Sequence, residues 1–136
     1  MTELKVLLIE DDVDDIELLK EALEHRNIPH SLIVLNDGSA ALNYISHGEN
    51  LPDIIVLDFN LPKVHGRNVI VEFRAANSYK DIPLLILTTS SAKEDIDFSY
   101  KNGADKYLIK PVSSEEITHV VDTILRLSGR QPTRKE

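Results

Sequence analysis

Four residues with no polar alternation, Ile54-Ile55-Val56-Leu57, run straight into a carboxylate at Asp58. A strand that is apolar on both sides has both sides covered, which is the condition of a parallel sheet with helices packed on each face. A charge at the end of such a strand emerges at the sheet's carboxyl edge, where open α/β sheets bind their ligands. Asp58 is therefore the first candidate for a chemically active residue. The competing reading is a turn, since an Asp ahead of Leu61-Pro62 also starts turns by hydrogen-bonding its own backbone.

The same pattern recurs along the chain. Val6-Leu7-Leu8-Ile9 ends on Glu10-Asp11-Asp12, Leu84-Leu85-Ile86-Leu87 on Thr88, and Tyr107-Leu108-Ile109 on Lys110, while Leu32-Ile33-Val34-Leu35 supplies another buried strand. Helical stripes lie between the strands. The first has Ile16, Leu19 and Leu23, with acids crowding its first turns, where they suit the helix dipole. The second has Ala41, Leu42 and Ile45 behind a cap at Asp37, closed by Gly48 and Pro52. The third has Val69, Ile70 and Phe73 after Gly66; the fourth only Ile96 and Tyr100; the fifth Ile117, Val120, Val121, Ile124 and Leu125. Ser91 with Glu94 and Ser113 with Glu116 read as capping boxes for the last two helices. The fourth helix, with the weakest stripe, should pack loosely. Five strands alternating with five helices predict an α/β fold, a doubly wound five-stranded parallel sheet of strand order 2-1-3-4-5. The 136 residues fit one domain, with 1–128 as the folded unit and 129–136 as a polar tail carrying no output domain.

Charge and composition narrow the function. A net charge of −8, from 15 basic and 23 acidic residues, argues against nucleic acid or an anionic membrane as partner and suits a protein that holds a cation. The absence of cysteine excludes disulfides, thiolate chemistry and Cys-type zinc sites. Neither a secretory signal nor an apolar run of roughly 20 residues is present, so a cytoplasmic protein is expected.

The strand ends carry the chemistry. In a parallel sheet Glu10-Asp11, Asp58, Thr88 and Lys110 share one edge, although each alone has a plain reading as a helix cap, a β-branched strand residue or a solvated turn lysine. Clustered carboxylates repel one another and attract a hard divalent cation such as Mg2+, which takes oxygen ligands and keeps several waters. An ammonium and a hydroxyl across the same pocket leave room for a dianion. The set describes a phosphoryl-transfer centre in which an Asp oxygen attacks. The five histidines are scattered without metal-ligand spacing, so the phosphate donor has to bring its own chemistry.

From Lys5 to Leu127 the segments LLIEDD, VLDFNLP, LTTS and YLIKP occur in an order that resembles the receiver domains of bacterial response regulators, CheY-like proteins with a flavodoxin-like fold. The resemblance implies a single-domain response regulator of a two-component phosphorelay, with Asp58 as phospho-acceptor for a sensor histidine kinase or histidine phosphotransfer protein. It implies Mg2+ on Asp11 and Asp58 beside Glu10, with the backbone carbonyl of Asn60 as a further ligand. Lys110 would pair with a phosphoryl oxygen, its bond to Pro111 being cis. Thr88 would swing onto the phosphoryl group and Tyr107 would turn inward with it. The face of the fourth helix, fifth strand and fifth helix would then change its affinity for a downstream protein or for a second copy of the chain. Val64-His65-Gly66 replaces the more usual Met-Asp-Gly, and Thr89 stands where a small residue is commoner, which is expected to restrict access of water and small phosphodonors. LTTS and Ser99-Tyr100 are similar to the stand-alone regulators paired with bacterial phytochrome-type kinases. Two alternatives belong to other classes. A Mg2+-dependent aspartyl-nucleophile phosphohydrolase would carry a second Asp where this chain has Asn60, and a constitutive binding module would not need the full polar set.

Overall fold

The computed structural model describes residues 3–47 and 50–130. Strands and helices alternate as β1 (Leu4–Ile9), α1 (Val13–His25), β2 (His30–Leu35), α2 (Gly38–His47), β3 (Ile54–Leu57), α3 (Gly66–Ala75), β4 (Leu84–Thr88), α4 (Lys93–Lys101), β5 (Lys106–Ile109) and α5 (Ser114–Leu127). The strands pair in parallel in the order β2-β1-β3-β4-β5, as the periodicity predicts. Gly48 and residues 131–136, to which the end of α2 and the polar tail were assigned, lie outside the described residues.

Successive strand residues face opposite sides of a sheet, and here each side has its own core. Leu4, Val6 and Leu8 of β1, Ile54 and Val56 of β3, and Leu85 and Leu87 of β4 pack on Leu19 and Leu23 of α1 and on Val120, Val121, Ile124 and Leu125 of α5. Leu7, Ile9, Ile55, Leu57, Leu84 and Ile86 pack on Ala41 of α2 and on Val69, Ile70 and Phe73 of α3. The unbroken apolar run of β3 follows from this double cover. All four of its residues are fully buried, each contributing about 1.5–3 kcal/mol.

The fourth helix packs loosely, as expected. It buries only Ser99 completely, with Ile96 and Phe98 leaning on the core and Tyr100 45% exposed. Polar ties hold it instead. Arg67 of α3 bridges to Asp95 and lies over the Phe98 ring, 4.9 Å from its centroid, and the Tyr100 hydroxyl accepts a hydrogen bond from the Tyr107 amide on β5. The capping box expected at Ser91 does not form. The N-cap is Ala92, without a side-chain cap, and the neighbouring Ser90 hydroxyl accepts from the Ala92 amide while bonding Asp95. The motif lies one residue off register because Asp95, drawn to Arg67, captures Ser90. At α5 the Ser113 hydroxyl caps the Glu116 amide as predicted, but the Glu116 carboxylate reaches back to the amide of Val112 rather than of Ser113.

Sequence periodicity missed Tyr79, which lies outside any regular element yet is 1% exposed. Its ring meets Phe73 edge-on at 5.3 Å and Tyr44 at 6.4 Å. Its hydroxyl is buried with no hydrogen-bond partner among the described residues. Removing an unsatisfied buried hydroxyl removes a desolvation cost, so Tyr79→Phe is expected to raise stability by about 1 kcal/mol. Urea unfolding checks this; a variant clearly less stable than the parent would contradict it.

Candidate functional site

The sheet ladder continues past the formal ends of the strands and sets the depth of each polar group. The Glu10 amide donates to the Leu35 carbonyl, the Asp58 amide to Ile9, and the Lys110 amide to Thr88. Residues distant in sequence are thereby fixed at one edge, as the strand-end pattern predicts.

Lys110 is the hub. Its Nζ lies 2.9 Å from Glu10 Oε1, 3.0 Å from Asp58 Oδ2 and 2.7 Å from Asp15 Oδ2, with its side chain 12% exposed. Glu10 and Asp58 are each 3% exposed. The second oxygen of Glu10 accepts from the amides of Asp11 and Asp12, and that of Asp58 accepts from the Asn60 amide. Both buried carboxylates are thus clamped by backbone on one side and by the ammonium on the other. Burial pushes the Glu10 carboxyl up to about 7; the Lys110 hydrogen bond opposes the rise and the charge on Asp58 adds to it. Burial also works against the charge on Lys110, but its bonds to Asp15, Glu10 and Asp58 outweigh that and hold the ammonium above its ordinary range.

Oxygens of Glu10, Asp11 and Asp58 lie within 4.8 Å of one another, Asp11 being exposed on the open side. One ammonium therefore faces more negative charge than it can neutralise. Hard carboxylate oxygens at this spacing fit a hard divalent cation. The Asn60 side chain is exposed and its amide donates to the Thr89 hydroxyl at 3.2 Å. That contact places Thr89 beside the acidic pocket.

Thr88 is fully buried at the end of β4, and its hydroxyl has no hydrogen-bond partner among the described residues. Tyr107 is turned inward already. It is 8% exposed, its hydroxyl donates to the Ser90 carbonyl at 2.8 Å, and its ring meets Phe59 edge-on. One implied feature is corrected: no peptide bond is cis among the described residues, so Lys110–Pro111 is trans. The trans form is favoured by about 0.5–1 kcal/mol for an X–Pro bond, and with it Lys110 already reaches all three carboxylates.

Sequence reasoning missed three contributors. Asp15 is one of the acids crowding the first turn of α1, which the sequence pattern assigns only to the helix dipole, yet it makes the shortest of the three contacts to Lys110. Its position in the first turn of α1, facing the sheet edge, was the available signal. Asp12, in the same acidic run, is the N-cap of α1, accepting from the amides of Asp14 and Asp15. Gly66, to which the apolar pattern assigns no role, is the third: a Cβ there would sit 2.7 Å from the Asp58 carbonyl oxygen and 2.6 Å from the Phe59 Cα. Only glycine lets α3 begin so close beneath the acid.

The sequence pattern of the response regulator receiver domain matches residues 6–122. The chain belongs to that family. Response regulator Rcp1 of Synechocystis sp. is 37% identical over 124 residues, spanning 88% of this chain and 84% of the relative. The crystal structure of the phosphorylated cyanobacterial phytochrome response regulator RcpA superposes with a TM-score of 0.82 at 34% identity, covering 90% of this chain and 91% of that one. The Mn2+-bound form of response regulator Rcp1 does so with a TM-score of 0.82 at 33% identity, covering 96% and 99%. The fold is therefore the CheY-like receiver fold. Receiver domains are signalling proteins of two-component systems rather than classical enzymes, and they bind a divalent metal in the acidic pocket. Response regulators homologous to this chain act with sensor histidine kinases. No helix among the described residues is long and apolar enough to cross a membrane.

Proposed function

We propose that this receiver domain stores a phosphoryl group on Asp58, taken from a phosphohistidine donor, and uses it to switch binding to a partner. The observation that carries the reading is the buried Asp58 carboxylate held between Lys110 and the Glu10-Asp11 pair. In the transfer an Asp58 oxygen forms a bond to phosphorus as the donor's N–P bond breaks, the electron pair returning to the imidazole nitrogen. Asp11, Asp58 and the Asn60 carbonyl, with Glu10 beside them, would hold Mg2+, which would neutralise the charge of the incoming oxygens. Lys110 turns its ammonium to a phosphoryl oxygen, and the Thr88 hydroxyl, without a hydrogen-bond partner among the described residues, donates to another. Because Tyr107 is inward already, Thr88 and the loop after β4 are the parts left to move.

The Asn60 side chain offers an amide where a hydrolase needs a general acid, which favours storage with slow self-dephosphorylation over turnover. Rcp1 and RcpA suggest a phytochrome-type sensor kinase as donor. The receiving face is that of α4, β5 and α5, where Tyr100, Ile109 and Val112 are exposed. It suits a downstream protein or a second copy of the chain. The test is incubation with acetyl phosphate and Mg2+ followed by phosphate-affinity electrophoresis. A retarded band is expected for the parent chain and none for Asp58→Asn; equal modification of the two sinks the assignment.

A further inference from the structure

We propose that Asp15 is a positioning residue that competes with the phosphoryl group for Lys110 and so sets how readily Asp58 is phosphorylated. The proposal rests on Asp58 being the phospho-acceptor.

Three carboxylates crowd the Lys110 ammonium: Asp15 at 2.7 Å and Asp58 at 3.0 Å accept hydrogen bonds from it, and Glu10 forms an ion pair at 2.9 Å. A phosphoryl oxygen can reach Lys110 only by displacing one of them. The three are not equally displaceable. Glu10 and Asp58 are 3% exposed, and each is anchored through its other oxygen by backbone amides. While the phosphoryl group approaches, leaving Asp58 unpaired would strand a buried charge and leaving Glu10 unpaired would force it to take up a proton. Either costs more than releasing a solvated carboxylate; the Asp58 charge disappears only once its oxygen has bonded to phosphorus. The Asp15 side chain is 34% exposed, and Lys110 is the one hydrogen-bond donor to its carboxylate among the described residues. Water can replace that donor. Asp15 is therefore the contact that yields, and each arrival of a phosphoryl group draws Lys110 away from the first turn of α1.

Neutralising Asp15 should free Lys110 in advance. Asp15→Asn is expected to lower the half-saturating beryllofluoride concentration, at fixed Mg2+, and to speed modification by acetyl phosphate, each by about threefold, the size of one partly exposed ion pair. Asp15→Glu, which keeps the carboxylate, should restore parental values. Asp14→Asn removes an equal charge from the same exposed turn without touching Lys110 and should leave both values unchanged. In a Lys110→Gln background the effect of Asp15→Asn should vanish. If the parent chain responds to neither reagent, the phospho-acceptor reading itself fails. If the parent responds but Asp15→Asn is unchanged or weaker, or Asp14→Asn gives the same gain, the competition is overturned and the receiver reading stands.

Discussion

Lys110→Met is expected to destabilise the divalent-free protein by about 3 kcal/mol, the cost of leaving buried carboxylates without their cation. Methionine keeps the length and apolar stem of lysine, so the core around it stays filled and the loss reports charge alone. Glu10 and Asp58 would then face each other at 3% exposure with only backbone amides to stabilise them. Glu10, with its carboxyl already pushed up to about 7, relieves part of the repulsion by taking a proton. Adding Mg2+ should return much of the loss, because the ion supplies the positive charge the ammonium provided. Urea unfolding in chelator and in saturating Mg2+ separates the two effects. A variant that loses under about 1 kcal/mol in chelator would mean that the ammonium's contacts are nearly neutral, as for an exposed pair.

Gly38→Ala should cost about as much for a steric reason. A Cβ at Gly38 would lie 2.0 Å from the Val64 carbonyl oxygen and 2.7 Å from its carbonyl carbon. Both are backbone atoms of the segment that follows Asn60, and neither can swing aside as a side-chain tip would. The Gly38 amide is also bonded to the Pro62 carbonyl, so the start of α2 and this loop are held together at that point. Accommodation means separating them, and an overpacked site of this kind loses about 3 kcal/mol, or roughly 10 °C in Tm. Ser39→Ala, one residue on and exposed, should change stability by less than about 0.5 kcal/mol. An unchanged melting temperature for Gly38→Ala would show that the loop can retreat at little cost.

How much of this was legible in the sequence depends on the range of the interaction. The continuous apolar runs of β1, β3 and β4 gave those strands because a doubly covered strand leaves no polar position to confuse the pattern, whereas β2, expected to be buried, lies at the sheet edge and is only half-buried, with Ile33 40% exposed. The polar ends of β1, β3, β4 and β5 marked the site for the same reason: each interrupts an apolar run. Asp15 was hidden because it lies inside a helix whose first turn is acidic anyway, and only the approach of Lys110 from 95 residues away distinguishes it. Ser90, Asp95 and Arg67 were missed because their network crosses from α3 to α4, so the local Ser91-Glu94 pattern pointed to a cap that tertiary contacts override. Gly38 carried no sequence signal, since what excludes a side chain there is Val64, far along the chain. Tyr79 escaped because a residue without regular secondary structure has no period to reveal its burial.

The hydrogen bond from the Tyr107 amide to the Tyr100 hydroxyl has a bearing on aggregation. β5 is an outer strand of the sheet, and outer strands offer unpaired amides on which foreign strands can add. Here the donor is taken by an aromatic side chain from the preceding helix. A strand approaching β5 would first have to dislodge Tyr100, so at that point the rim of the sheet is sealed by a phenol instead of by charge or proline.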